Sequence, residues 1–302
     1  MITIKKNFPL RKFTSIQIGG PAKFFVTAKN IDDLKEAIRF AKKNKLPWYI
    51  AGEGSNLVIS DSGFEGVIIK CQLSNIKIKD SLATVGAGYN LLKFIHSLNR
   101  RGRSGFERMA GIPGTVGGAV YGCAGAYGQE IKDRLVSVSF FDGKTLRKFM
   151  NKQCAFGYRT SIFKKHKNWI ITEAVFKLGR GIPTTLRKVS RDTIALRAKK
   201  YPPGLKCPGS FFKNLLVKKI KVPLEFKSSI RYGKLPTGLL LERVGAKGMK
   251  QGGVSVASHH GNLIYNQGQG TASDVKKLAE SLKKLVKSKF GIIIEEEVQY
   301  LP

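Results

Sequence analysis

The sequence contains no apolar run of about 18 residues, the length that a membrane-spanning helix needs. Residues 1–13 include basic side chains but no apolar segment followed by a small-residue cleavage site, so they do not indicate a secretory signal. Repeats and low-complexity tracts are also missing. We therefore expect a cytoplasmic globular protein that has no membrane partner.

Cysteine is scarce and scattered. The four cysteines form no CxxC pair and have no neighbouring histidine at metal-ligand spacing. This spacing argues against a zinc site and against a disulfide framework, and it fits a reducing compartment. We expect no metal. The residues are Cys71, Cys123, Cys154 and Cys207.

Acidic residues are few: 20 Asp and Glu stand against 54 Lys and Arg, which gives a net charge of +34. Three interpretations stay open, namely nucleic-acid binding, attraction of small polyanions such as dinucleotides, and ordinary solvated lysine faces. The lysines are spread along the whole chain, without a basic tail or an arginine-rich stripe. No helix-turn-helix, RNP or zinc-finger signature supports the first interpretation.

The 302 residues, 42% of them apolar, are enough for two or three domains with real cores. Helical periodicity covers residues 30–43, 90–101, 184–202 and 273–290. A hairpin is predicted around Asp142-Gly143 and a closing strand over residues 292–302. Helices and strands alternate irregularly, which predicts an α+β fold.

Two glycine-rich loops are predicted, "GEGSN" at residues 52–56 and a longer stretch at residues 108–128. Glycine lets a backbone approach a ligand closely and present bare N–H groups to an anion. A hairpin turn and close packing between strands are the structural alternatives. Neither segment has the spacing of a Rossmann motif or a P-loop.

Six motifs in order carry a family resemblance. They are "IQIGGPAKFF", "AGEGSNLVISDSGFEG", "ERMAGIPGTVGGAVYGCAGAYG", "FGYRTSIF", "GSFFKN" and "IIIEEEV". From about residue 8 onward the chain resembles the UDP-N-acetylenolpyruvoylglucosamine reductases, flavoenzymes of peptidoglycan precursor synthesis, which supports cell wall biogenesis, cell shape and cell division. The resemblance implies a two-part FAD-binding unit of the vanillyl-alcohol-oxidase (PCMH) type and a C-terminal α+β substrate domain.

That resemblance implies FAD-binding subdomains at residues 1–71 and 72–200 and a substrate-binding domain at 201–302, whose last strand is allowed to return to the first subdomain. It places the FAD pyrophosphate at the "GEGSN" turn and the flavin against the second glycine-rich stretch. The implied cofactor-binding residues are Gly52, Gly54, Ser55, Asn56, Leu57, Gly111, Ile112, Pro113, Gly114, Thr115, Gly117 and Gly118.

The implied reaction begins with reduction of FAD by NADPH. Flavin N5 then gives a hydride to the vinyl carbon of the enolpyruvyl substrate, and UDP-N-acetylmuramate forms. The catalytic positions carried over are Arg159 for the substrate carboxylate, Ser210 as proton donor, and Glu297 as a neutral donor or through a water. Tyr158, Lys213 and Asn214 are the implied substrate-binding residues.

The chain departs from the family pattern at three positions. Cys123 stands where asparagine is usual, Glu53 replaces a glycine of the pyrophosphate turn, and Leu215 replaces a proline. A carboxylate at residue 53 is expected to point away from a diphosphate or to pair with a lysine. The short spacing from Arg159 to Ser210 matches the branch that lacks a substrate-capping insertion.

Adjacent histidines at residues 259 and 260 point to opposite faces of a strand, so they are expected to be structural rather than to share a metal. Two other functions stay open beside the reductase. One is another FAD oxidoreductase of the same fold, such as a carbohydrate oxidase, and the other is a basic nucleic-acid-binding protein. We expect a monomer that acts on a small UDP-sugar substrate, without nucleic acid.

Overall fold

The computed structural model describes residues 2–302. The chain divides into two compact units. Unit 1 comprises residues 2–6, 24–53 and 65–199, and unit 2 comprises residues 7–23, 54–64 and 200–302. Two N-terminal segments therefore fold with the C-terminal hundred residues. The sequence-based division at residues 71 and 200 stays a prediction.

The four predicted helices begin and end close to the predicted positions, and three short helices were not predicted. Helix α1 is capped by the Asn30 side chain, which accepts from the Asp33 N–H, and α2 by the Asn90 side chain, which accepts from the Lys93 N–H. The helices α1 to α7 are Ile31–Lys43, Leu91–Arg100, Val116–Gly122, Ile162–Lys165, Pro183–Lys200, Thr237–Arg243 and Ala272–Phe290.

The strands form several small sheets and two larger ones. In chain order, strands β1 to β20 are Ile4–Pro9, Pro21–Ala28, Trp48–Ala51, Leu57–Ile59, Phe64–Cys71, Ile76–Lys79, Leu82–Gly86, Arg103–Ser104, Gly125–Ala126, Gln129–Glu130, Leu135–Phe141, Leu146–Met150, Ile170–Lys177, Gly179–Arg180, Leu215–Leu216, Lys234–Leu235, Lys250–Gln251, Val254–Val256, Ile264–Asn266 and Gln299–Leu301.

Unit 1 contains an antiparallel sheet of order β12-β11-β13-β7-β6 and a second sheet in which β3 and β5 pair in parallel. Helices α2 and α3 contribute Phe94 and Val120 to the main core, where Phe94 packs against Phe106 and Phe176. A smaller core lies between α1 and the β3–β5 pair. Burying these aromatic and aliphatic side chains is the main stabilisation of the unit.

Unit 2 is built around α7, whose apolar stripe packs on the sheet of order β17-β18-β19. Strand β20 pairs in parallel with β4, so residues 54–64 are held by the C-terminus. Asn266 is buried, and its side chain donates to the carbonyls of Ile16 and Gln17. This amide fastens the segment of residues 7–23 to the C-terminal part of the chain.

Two predictions about local structure are wrong. Residues 292–298 form no continuous strand, because their hydrogen bonds go one at a time to residues 211–213, and regular pairing starts only at β20. The second glycine-rich stretch is not a loop throughout, since Val116–Gly122 is helical. Thr115 caps this helix by accepting from the Gly118 N–H, and a Cβ on Gly117 would lie 2.7 Å from the Ala87 Cβ.

The hairpin around Asp142 is confirmed, with Phe141 opposite Leu146 and the Asp142 side chain accepting from the N–H groups of Lys144 and Thr145. Helix α5 ends at Lys200, two residues before Pro202, as predicted. Over residues 2–302, no helix combines the length and the apolar character that crossing a membrane requires.

Asp61 accepts hydrogen bonds from the N–H groups of Ala272, at 2.7 Å, and Ser273, at 3.1 Å, in the first turn of α7. A carboxylate there satisfies orphan donors and interacts favourably with the helix dipole. We expect Asp61→Ala to lower the free energy of unfolding by about 1–2 kcal/mol, measured by urea denaturation. Ser281→Ala, on the exposed side of α7, is the control; equal losses in both variants would contradict the capping role.

Candidate active site

In unit 1 the start of the "GEGSN" turn lies against the start of α3. A Cβ on Gly52 would come within 2.8 Å of the Thr115 hydroxyl, so only glycine fits there without a shift. Glu53 accepts a hydrogen bond of 2.9 Å from the Asn90 side chain, and Asn90 forms a backbone bridge with Thr115. The structure thus brings together the predicted Gly52 and Thr115.

Backbone N–H groups without a protein acceptor precede α3. Gly114 and Thr115 are buried, and among residues 2–302 neither of their N–H groups has a protein acceptor. A buried backbone donor left without a partner costs about 1–3 kcal/mol. Gly111 and Gly114 have φ values of +84° and +110°, which side chains rarely tolerate. Backbone donors without a protein acceptor fit the oxygens of a dinucleotide cofactor.

The Glu53 carboxylate is held by a side-chain amide. The exposed side chain is tied to Asn90, which at the same time caps α2 through its Oδ1 atom. Of the two predicted alternatives, pairing with a lysine is not the one observed, because the amide N–H group of Asn90 makes the contact. The other alternative, that the carboxylate points away from a diphosphate, stays a prediction.

In unit 2 the end of the turn is fixed by its own contacts. Gly54 has φ +66°, and a Cβ there would lie 2.7 Å from the Phe13 carbonyl oxygen. The Ser55 carbonyl accepts from the Ser15 hydroxyl at 3.2 Å. Asn56 donates through its side chain to the Glu297 carbonyl at 3.1 Å, and Leu57 pairs with Gln299. The structure therefore brings together the predicted Asn56 and Glu297.

Arg159 lies in a tight turn in unit 1, between Gly157 and Thr160, and has a left-handed φ of +56°. Its guanidinium donates to the carbonyls of Cys123, at 3.2 Å, and Gly125, at 2.8 Å. These two contacts orient the planar cation at the C-terminal end of α3, where positive charge is favoured. Its carbon Cζ lies 5.3 Å from the centroid of the neighbouring Tyr158 ring.

Two further side chains fasten this turn. The Lys164 ammonium donates to the Arg159 carbonyl at 2.8 Å, and the buried Ser161 hydroxyl donates to the Tyr121 carbonyl at 2.7 Å. A non-glycine residue in the left-handed region costs about 1 kcal/mol or more and persists only where its surroundings determine it. The four contacts provide such surroundings for Arg159.

Ser210 follows Gly209, which has φ +90°, at the start of the "GSFFKN" motif in unit 2. Its hydroxyl oxygen lies 2.6 Å from the Tyr201 hydroxyl oxygen. This distance is typical of a short hydrogen bond between two hydroxyl groups. Sequence reasoning missed Tyr201, because nothing in the nine-residue spacing signals the contact.

The segment after Ser210 pairs with the segment that contains Glu297. The Glu297 N–H donates to the Phe211 carbonyl, and the Lys213 N–H donates to the Glu295 carbonyl, both at 2.8 Å. The Lys213 ammonium also forms an ion pair of 2.8 Å with Glu295, and this lowers the pKa of the Glu295 carboxyl. Lys213 is therefore engaged at the surface of unit 2.

Asn214 and Lys213 also contact the start of α6. The Asn214 side chain accepts from the Thr237 N–H at 3.4 Å, and the Thr237 hydroxyl donates to the Lys213 carbonyl at 2.5 Å. These contacts fix the backbone of the predicted substrate-binding pair. Leu215, which replaces the proline usual in the family, is buried in the core of unit 2.

Cys123 ends α3 in a left-handed conformation, with φ +46°. Its thiol is fully buried, and this burial raises the pKa to about 11, with Glu130 adding to the effect. Among non-glycine residues, asparagine adopts the left-handed region most readily.

His259 lies in a turn and His260 directly after it, so the strand predicted for this pair is not present, and each ring has its own contacts. The His259 ring nitrogen Nε2 lies 3.0 Å from the Lys200 carbonyl. His260 Nδ1 lies 3.5 Å from a Glu242 carboxylate oxygen, while burial, followed by the Lys200 charge, lowers its pKa to about 4. Within the described chain, no cluster of three or more metal-ligating side chains is present.

Comparisons with known proteins first define the class. The family model described as "FAD binding domain" matches residues 22–146. This match places the chain among FAD-binding proteins, and it agrees with the donor-lined glycine segments of unit 1.

The second match is more specific. The family model described as "UDP-N-acetylenolpyruvoylglucosamine reductase, C-terminal domain" matches residues 201–301. The UDP-N-acetylenolpyruvoylglucosamine reductase of Solibacter usitatus (strain Ellin6076) is 42% identical over 303 residues, covering 99% of this chain and 97% of that protein. The reductase of Bacillus subtilis (strain 168) is 34% identical, covering 98% and 93%.

Solved structures agree with the sequence comparison. The crystal structure of UDP-N-acetylenolpyruvylglucosamine reductase from Thermus caldophilus matches with a TM-score of 0.79 and 29% identity, and all of each chain is covered. The chain belongs to the UDP-N-acetylenolpyruvoylglucosamine reductase family. The predicted family, the fold class, the oxidoreductase class and the FAD cofactor are confirmed.

The buried thiol of Cys123 is expected to be inert. With a pKa of about 11, its thiolate fraction at pH 8 is on the order of 100-fold below that of an ordinary cysteine. Maleimide labelling at pH 8 followed by peptide mass spectrometry should modify the partly exposed Cys207 first and Cys123 only after urea unfolding. Equal labelling rates in the folded protein would contradict this assignment.

Proposed function

We propose that this chain reduces the enolpyruvyl ether of UDP-N-acetylglucosamine to UDP-N-acetylmuramate, with NADPH as the reductant. The observation that carries the proposal is similarity over the full length of the chain to proteins named for this reductase. In a bacterial cell the product enters peptidoglycan synthesis, and we propose a cytoplasmic, monomeric enzyme. The domain division at residues 71 and 200 belongs to the same proposal.

Bound FAD would take two electrons from NADPH and supply a hydride to the vinyl carbon of the substrate. The buried N–H groups of Gly114 and Thr115 would bind cofactor oxygens, and Gly52 would leave room for the close approach. The remaining predicted contacts keep their proposed roles. They are Gly54, Ser55, Asn56, Leu57, Gly111, Ile112, Pro113, Gly117 and Gly118.

Arg159 would bind the carboxylate of the enolpyruvyl group. That carboxylate gains negative charge when hydride adds to the vinyl carbon, because the adjacent carbon becomes enolate-like. A guanidinium that two carbonyls already hold in place needs little reorganisation as this charge develops. Tyr158, Lys213 and Asn214 would contact the rest of the substrate.

Ser210 would donate the proton that completes the reduction. A neutral hydroxyl is suited to a basic carbon, and its own proton must then be replaced. Glu297 lies on the segment that pairs with the segment after Ser210. It would act in the same protonation step, as a neutral carboxyl or through a water. The Asn56 and Phe211 contacts to its backbone hold this residue in place.

The high positive charge would serve these ligands. FAD, NADPH and the UDP-sugar carboxylate are all polyanions, and a net charge of +34 would raise their encounter rates at low ionic strength. Such attraction of small anions accounts for the charge without nucleic-acid binding.

Gly52→Ala should weaken FAD binding. Its new Cβ would lie 2.8 Å from the Thr115 hydroxyl and displace the residue that carries a donor. We expect at least a tenfold rise in the dissociation constant, equivalent to about 1.4 kcal/mol, measured by quenching of flavin fluorescence. Gly122→Ala is the matched control, because its Cβ would meet nothing within 4 Å. Unchanged affinity in Gly52→Ala would remove this segment from the cofactor site.

Ser210→Ala should separate the two half-reactions. We expect flavin reduction by NADPH to stay at the wild-type rate, while reoxidation by the enolpyruvyl substrate slows by roughly 10²- to 10⁴-fold. Stopped-flow absorbance of the flavin measures both steps. A protein that cannot be reconstituted with FAD, or one that oxidises NADPH without regard to the substrate, would overturn the proposed function.

A further inference from the structure

The Tyr201 hydroxyl is the nearest described side-chain partner of the proposed proton donor. Its oxygen lies 2.6 Å from the Ser210 oxygen, and both residues are half-buried. Tyr201 immediately follows α5, and the prolines at residues 202 and 203 prevent the helix from continuing. A phenol at the helix end therefore meets a serine nine residues later in the chain.

Two contacts restrain Tyr201, one to the backbone that precedes it and one to its ring. The His259 ring nitrogen contacts the carbonyl of the preceding Lys200 at 3.0 Å, which fixes the backbone. The Lys200 ammonium lies 5.3 Å from the centroid of the Tyr201 ring. A cation at that distance is attracted to the face of the ring and restricts its orientation.

We propose that Tyr201 is the positioning residue and proton relay for Ser210, a role that rests on Ser210 being the proton donor. The hydroxyl–hydroxyl contact fixes the Ser210 side-chain rotamer. It also gives the serine oxygen a neighbouring source of the proton that it loses in each turnover.

The proton balance needs one proton from solvent in each turnover. The Ser210 O–H bond breaks, and its proton forms a C–H bond with the electron pair of the enolate carbon. The serine oxygen takes the phenolic proton of Tyr201, so that a new serine O–H bond forms and the phenol O–H bond breaks. A proton from solvent, the one that the overall reduction by NADPH consumes, restores the phenol O–H bond, and both residues return to their starting forms.

Tyr201→Phe removes the hydroxyl while it keeps the ring. We expect flavin reduction by NADPH to be unchanged and flavin reoxidation by substrate to slow about tenfold or more. Tyr232→Phe, in which an exposed tyrosine of the same unit loses its hydroxyl, is the control and should match the wild type in both steps. A Tyr201→Phe variant that reoxidises at the wild-type rate overturns the relay.

Mixtures of H₂O and D₂O test the relay itself. If two protons move in the reoxidation step, the wild-type rate falls along a curve as the deuterium fraction rises. In Tyr201→Phe one moving proton remains, and the dependence should become linear. A merely structural role of the tyrosine would lower the rate and leave the shape of this dependence unchanged, and that result would overturn the relay.

A double variant distinguishes failure of the relay from failure of the proposed function. If Tyr201 acts through Ser210, adding Tyr201→Phe to Ser210→Ala should slow reoxidation no further. A full additional loss in the double variant would show that Tyr201 acts independently and would overturn the relay alone. If Ser210→Ala reoxidises at the wild-type rate, then the serine assignment of the proposed function is wrong, and the relay is wrong with it.

The hydrogen bond can also be measured without any reaction. Urea unfolding of the FAD-free proteins should show lower midpoints for Tyr201→Phe and for Ser210→Ala. The double variant should fall less than the sum of the two shifts, because both single variants break the same bond. Additive shifts would mean that the two hydroxyls do not interact, and the relay would be overturned.

Discussion

The pairing of residues 211–213 with residues 295–297 is the constraint on which unit 2 depends. Two backbone hydrogen bonds of 2.8 Å join these segments, and the Asn56 side chain adds a third contact to the Glu297 carbonyl. The three segments are far apart in the sequence, so closing these loops is entropically costly. The core around α7 compensates for that cost, and its burial keeps Ser210 and Glu297 on paired backbones.

In unit 1, glycine permits the close approach of segments that are far apart in the sequence. Gly52 allows the Thr115 hydroxyl to come close, and Gly117 allows α3 to approach Ala87. Both contacts direct the start of α3 so that Gly114 and Thr115 keep buried N–H groups without protein acceptors. Such donors are stable only when a ligand supplies the missing oxygens or when packing outweighs their cost. The glycines are thus requirements of packing, and the proposed cofactor contacts depend on that packing.

Much of the fold could be predicted from the sequence pattern, because α1, α2 and α7 have clear apolar stripes with capping residues at their starts, and α5 ends just before two prolines. Helix α3 could not be predicted, since three of its seven residues are glycine and its stability comes from tertiary contacts. The family motifs named candidate residues, yet the Tyr201–Ser210 and Glu53–Asn90 contacts leave no sequence signal. Both depend on side-chain positions that only the folded chain defines.

Cys123 stands where asparagine is usual in the family, and its backbone conformation gives a reason for asparagine that is independent of the flavin. An asparagine at this position suggests a polar contact to the flavin, but the left-handed φ of +46° is by itself a reason for asparagine. What Arg159 needs from residue 123 is its carbonyl oxygen, at 3.2 Å, and every residue type provides one. The thiol fills a fully buried position without a charge. The substitution therefore changes the cost of the turn and leaves the atom that orients Arg159 in place.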